Sequence, residues 1–293
     1  MGKRLIILSA LVLFLASASA QQDTLKYRIS LRDKAATVYS LEHPEQFLSE
    51  KAIAELPDYM RPMAMYNAMV YPLTRYTVRG FLWYQGESNI GRHTEYAARM
   101  ADMVAGWRAQ WGLGELPFYF VEIAPFGYGN GLSPYLREAQ CRAQKLIPGS
   151  GMVSTNDLVL PCEEGNIHPR DKRSVGRRLA FWALNRTYGR KDVACENMQF
   201  RSMEIKDGKA CLSFDNTFGG FGRAFDLRGF EICGADRVFR PAQVHFEGNE
   251  RLIVFLPDIP EPVAVRYGFR DFQPGNVVNT RELPLVPFRT DDF

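Results

Sequence analysis

Two places in the chain hold residues whose types and spacing suit chemistry. The first is the run Gln85, Gly86, Glu87, Ser88 and Asn89, which follows directly on the apolar stretch Val78 to Tyr84. A β-branched and aromatic stretch of that length reads as a buried strand, and Gly86 lets the backbone bend where it ends. In an open α/β sheet, ligands sit at the carboxyl ends of strands. These polar residues then stand at a site edge, with an ordinary polar turn as the alternative. The second place is His168, followed by Pro169. An imidazole transfers protons near neutrality and suits a general base, while a structural histidine is the bland reading. Asp157, Glu163 and Glu164 lie close enough in sequence to orient such a ring, and Glu164 is preferred. Solvated loop acids, or a backbone carbonyl on the ring, are the alternatives.

The surrounding pattern supplies elements to position these groups. Tyr96, Met100, Met103, Val104 and Trp107 recur at helical spacing within 93–110. Phe118 to Ala124 reads as the next strand, Leu132 to Leu146 as a helix, and Gly151 to Thr155 as a third strand. A further helix, starting at Pro169 and running to about Tyr188, buries Val175, Leu179, Trp182 and Ala183. Such alternation predicts an α/β fold with a parallel sheet covered on both faces. From about Cys195 onward, short β-rich runs alternate with turn residues: 203–205, 210–214, 229–232, 242–246, 252–255 and 263–267. That spacing predicts a small antiparallel β-sandwich domain over 195–293.

Composition narrows the function classes. The 293 residues carry a net charge of only +3, with no block of like charges, so nucleic-acid binding is not indicated. Lys3 and Arg4 precede the apolar run Leu5 to Leu15, and Ala18-Ser19-Ala20 supplies a cleavage site. Residues 1–20 read as a signal peptide of a periplasmic or secreted protein, with no membrane attachment after its cleavage. The five cysteines are widely spaced, without a Cys-x-x-Cys pair, and read as mostly buried thiols.

Several blocks in one order carry a resemblance. They are Met65 to Leu73, Trp83 to Asn89, Trp107 to Gly112, Phe118 to Pro125, Leu136 to Gln140, Asn166 to Lys172, Ala264 to Gly268 and Pro287 to Asp292. Over about 60–293 the chain resembles the sialate O-acetylesterase family, carbohydrate esterases of the SGNH-hydrolase type. The resemblance implies a serine-type carboxylic ester hydrolase that removes acetyl groups from O-acetylated sialic acid or another acetylated glycan, without cofactor or metal. It makes His168 the catalytic histidine and places Gln85 and Gly86 on the turn facing it, as oxyanion-stabilising candidates together with Asn67. Glu87 is expected as a framework acid hydrogen-bonded beneath the site, and Asn67 has capping of a turn as its alternative. Many SGNH hydrolases carry an aspartate three residues before the histidine; here that position is Gly165.

The family's nucleophile block, Gly-Asp-Ser or Gly-Gln-Ser-Asn on the first strand, does not occur in the chain. Ser88 fails the Gly-x-Ser-x-Gly elbow because Ile90 stands in the last position. Residues 21–57, with Tyr27 to Leu31 as a strand and Pro44 to Ile53 as a helix, resemble instead the leader of secreted subtilisin-like peptidases. The expected order is therefore signal peptide 1–20, foreign leader 21–57, partial esterase domain 58–190 and β domain 195–293. The fold is expected to be a truncated SGNH-type, flavodoxin-like three-layer sheet with an uncovered edge open to self-association. Activity is expected to be weak or absent. A non-catalytic carbohydrate-binding remnant is the alternative function, with Trp83, Tyr84 and Tyr128 as stacking candidates. A peptidase leader acting as folding aid or inhibitor is a third.

Overall fold

The computed structural model describes residues 64–222 and 226–293, and the backbone of two short strands, β1 (Tyr27–Ile29) and β2 (Val38–Ser40), which pair antiparallel. The expected signal peptide and most of the expected leader, including the helix expected from Pro44, lie outside the described residues.

The α/β part is built on three parallel strands, β3 (Phe81–Tyr84), β4 (Phe118–Val121) and β5 (Ser150–Val153), in the order β3-β4-β5. Between them run α1 (His93–Trp111) and α2 (Ser133–Leu146), and α3 (Lys172–Trp182) follows β5. Two crossovers stepping the same way put α1 and α2 on one face. There Tyr96, Met100, Val104, Trp107 and Trp111 of α1 and Leu136, Ala139 and Ala143 of α2 pack on Phe81, Trp83, Phe118, Phe120 and Met152. Successive strand residues alternate faces, so Tyr119, Val121 and Val153 meet Val175 and Trp182 of α3 on the other side. Each fully buried Phe or Leu here contributes about 1.5–3 kcal/mol. Gly151 is needed for that second layer, because a Cβ on it would stand 2.4 Å from the Trp182 ring.

The α3 helix starts three residues later than its proline suggests. Asp171 caps it by accepting a hydrogen bond from the Ser174 N–H at 2.9 Å, a stronger start signal than Pro169. The helix ends at Trp182 in a wider turn, Ala183–Thr187.

Among the described residues the outer side of β3 has no strand partner. Just ahead of it in the chain, Met69, Tyr71 and Tyr76 are exposed on and beside the turns Tyr66–Val70 and Tyr71–Arg75.

The C-terminal part is a sandwich of two four-stranded antiparallel sheets. One has the order β10-β11-β7-β6, formed by Gln243–Glu247, Arg251–Phe255, Lys209–Asp215 and Gln199–Lys206. The other has the order β13-β12-β8-β9, formed by Phe288–Arg289, Ala264–Tyr267, Phe230–Cys233 and Arg240–Pro241. Ala210, Leu212, Phe214, Leu252 and Val254 of the first sheet meet Phe230, Ile232, Val265 and Tyr267 of the second. The strands β9 and β13, two residues each, have no sequence pattern of their own. All five cysteines are free thiols; Cys195, Cys211 and Cys233 are buried, Cys141 is half-buried and Cys162 is exposed.

Candidate active site

The register of the parallel sheet decides what its carboxyl edge presents. Tyr84, Val121 and Val153 lie opposite one another. The next residues, Gln85, Glu122 and Ser154, therefore leave the sheet side by side.

At the end of β3, Gln85 is buried and turned inward. Its Nε2 donates to Asn89 Oδ1 at 2.7 Å, while its carbonyl accepts from the Tyr96 hydroxyl at 3.1 Å and from Gln140 Nε2 at 3.2 Å. Burial pushes the Tyr96 phenol up to about 12. Gly86 has φ 156, and a Cβ there would meet Ile123 Cγ2 at 2.6 Å, so only glycine fits this turn. Glu87 is half-buried, near enough to Tyr84, Tyr128 and Lys172 to bias all three. Among the described residues its carboxylate forms no hydrogen bond, so the framework bonds expected of it are not seen there. Ser88 is exposed on the turn Glu87–Arg92. Asn67 is exposed on the turn Tyr66–Val70 ahead of β3, and among the described residues it makes no hydrogen bond to the rest of the site.

At the end of β4 stands Glu122, wholly buried. Desolvation pushes its carboxyl up to about 7, against the opposing pull of the Arg137 charge and the Ser154 hydroxyl. Ser154 Oγ donates to Oε2 at 2.6 Å, and among the described residues Oε1 has no partner. Arg137, on α2, is also buried; it donates to the carbonyls of Gly268 and Arg270 in the C-terminal part, and burial lowers its pKa. Gln140 joins the ends of β3 and β4, since its Oε1 accepts from the Ile123 N–H at 2.9 Å. Tyr128, on the loop after β4, has a buried hydroxyl without a partner among the described residues.

The loop after β5 carries His168. Asp157 is committed to the buried Arg178 through two hydrogen bonds of 2.8 and 2.6 Å, and so is not the ring's partner. Glu163 ties the loop together: its carboxylate accepts from the N–H groups of Leu160 at 3.1 Å and Arg170 at 3.0 Å, which hold its pKa below the usual range. Glu164 is exposed and is used through its carbonyl, which accepts from the Gly127 N–H at 2.8 Å. His168 is exposed, its N–H bonded to Asn166 Oδ1 at 3.1 Å; among the described residues no side chain bonds its imidazole. Four residues on, Lys172 Nζ stands 4.8 Å from the centre of the Tyr84 ring, which brings the histidine loop to the end of β3.

The structure thus links the 85–89 turn to the loop of Glu164 and His168 through Lys172, while Asn67 makes no hydrogen bond to either among the described residues. Glu122, Arg137 and Gln140 were not singled out from sequence, although signals existed. Glu122 follows four apolar strand residues at a carboxyl end, and Gln140 falls four residues after Leu136 on the inner face of α2.

Residues 52–185 match the family of carbohydrate esterases described as sialic acid-specific acetylesterases. The sialate O-acetylesterase of Mus musculus is 29% identical over 256 residues, 78% of this chain and 47% of that protein. The Pongo abelii sialate O-acetylesterase is 30% identical over 227 residues, 70% of this chain and 43% of that protein. The crystal structure of a carbohydrate acetylesterase from Xanthomonas citri superposes with a TM-score of 0.72 at 34% identity, covering 83% of this chain and 57% of that one. The chain spans about half the length of the relatives it matches. By these matches residues 52–185 belong to the sialic acid-specific acetylesterase family of carbohydrate esterases, and the shared fold extends over most of the chain.

Proposed function

We propose that the carboxyl edge of this sheet binds an O-acetylated sugar, with O-acetylated sialic acid as the preferred class, and that hydrolysis by this chain is impaired for want of a nucleophile block. The observation that carries the reading is the convergence of the 85–89 turn and the His168 loop on one edge, in a chain whose relatives are sialate O-acetylesterases. In acyl transfer, His168 would take the proton of the attacking hydroxyl and return it to the departing sugar oxygen. The Gln85 side chain is committed to Asn89, which leaves the Gly86 N–H as the donor assigned to the developing oxyanion.

Acetate release from 9-O-acetylated N-acetylneuraminic acid tests this, run beside a full-length relative and accompanied by calorimetric binding. The expected result is binding with turnover at least about a thousandfold below the relative, the scale of losing a nucleophile. Turnover matching the relative would remove the impairment, and absence of binding would remove the site.

A further inference from the structure

The C-terminal sandwich does more than trail the α/β part. Its segment 268–275 lies across the carboxyl edge of the parallel sheet, where Arg137 holds the carbonyls of Gly268 and Arg270, and the Gly275 N–H donates to the Asn156 carbonyl at 3.2 Å. In the middle of this strap is Asp271. Its Oδ2 accepts from the N–H groups of Asn130 at 3.0 Å and Gly131 at 2.8 Å, and its Oδ1 from the Ser133 N–H at 3.2 Å and hydroxyl at 2.8 Å. Its backbone carbonyl accepts from the Phe126 N–H at 3.0 Å. One residue of the sandwich therefore fixes both ends of the loop 126–133. Within that loop, Gly127 holds the Glu164 carbonyl of the histidine loop, and a Cβ on Gly127 would press on Glu164 Cγ at 3.1 Å. Tyr128 sits between these anchors.

We propose that Asp271 is a positioning residue for the acetylated-sugar site, acting through loop 126–133 on the loop that carries His168. The chain of contacts is short: Asp271 to the loop amides, Gly127 to Glu164, and four residues on to His168. A carboxylate accepting several N–H groups forms stronger bonds than a neutral acceptor, so its loss loosens the whole path. The proposal rests on the proposed function only for its binding arm.

The test is amide hydrogen exchange on the full chain, comparing Asp271→Asn, Ser133→Ala and Glu138→Gln. Glu138 pairs with Arg289 across the same two parts of the molecule, at 3.0 Å, without touching the loop. Asp271→Asn is expected to speed exchange about tenfold in both 126–132 and 160–168 and to move the His168 imidazole NMR signal. Ser133→Ala, which removes one of the five bonds, should give a smaller change in the same segments, and it decides the matter if the Asp271 variant does not fold. Glu138→Gln should change neither segment. Wild-type exchange at 160–168 in Asp271→Asn, or the same pattern in Glu138→Gln, would overturn the proposal. A wild-type chain that binds no acetylated sugar would refute the functional reading but leave this exchange result standing.

Discussion

The two parts of the described chain bury their apolar faces in different ways. In the sandwich, the facing side chains of β7, β11, β8 and β12 are apolar throughout their shared core. A buried acid occurs there, Glu231, but it is paired with Arg270. In the parallel sheet, both apolar layers stop at the carboxyl edge, and Glu122, Arg137, Gln140, Ser154, Thr155 and Asn156 are buried in their place. Burying that much polarity costs stability unless each group is bonded, and among the described residues one atom of Glu122 and two of Arg137 have no partner. The comparison teaches where this molecule gives up packing: at one end of one sheet, the edge that carries the candidate site.

Four substitutions break or sharpen that contrast. The largest effect belongs to Arg137→Ala, which strands the Gly268 and Arg270 carbonyls and leaves the Glu122 charge alone. A loss of about 3–5 kcal/mol is expected in denaturant unfolding.

Next comes Glu122→Gln, read through its pH dependence. Below the ordinary carboxyl value of 4.5 the wild-type group is protonated both folded and unfolded, whereas above about 7 it is ionised in both, at greater cost in the folded chain. Stability is therefore lost as pH rises from about 4.5 to about 7, by roughly 3 kcal/mol. Melting temperatures at pH 4 and pH 8 should shift in favour of the glutamine variant by several degrees at the higher pH.

In the sandwich, Ile232→Val removes one methylene from a core whose facing side chains are apolar. A loss of about 0.5–1.5 kcal/mol, flat across the same pH range, is expected from thermal melts. The smallest effect is Arg186→Ala, which removes a half-exposed ion pair with Glu196 and should cost less than about 1 kcal/mol in the same melts.

Much of the architecture was legible because its signals are local. The α1 stripe and the sandwich strands announce themselves within a few residues, and the unbroken apolar run 118–121 marks a strand buried on both faces. Less local features were not legible. The strands β9 and β13 are too short for a period. The start of α3 belonged to a cap, Asp171, rather than to the proline beside the histidine. Glu163 and Glu164 are adjacent and chemically alike, and only the fold turns one carboxylate inward to tie the loop and the other outward. Asp271 lies more than a hundred residues from the amides it binds, a pairing that no window of sequence displays. The site was read in outline because the turn after β3 and the loop of His168 each sit at an element boundary. Its supporting groups on α2 were hidden in a helix pattern.

The central claim, that this edge is where the acetylated sugar docks, is tested most directly by NMR of the histidine side chains during titration with 9-O-acetylated N-acetylneuraminic acid. The chain has four histidines, and the signal that disappears in His168→Ala identifies the relevant one. The account predicts that this signal moves with added ligand while those of His93 and His245 stay in place. A ligand that binds without moving it would contradict the account and direct attention to another surface.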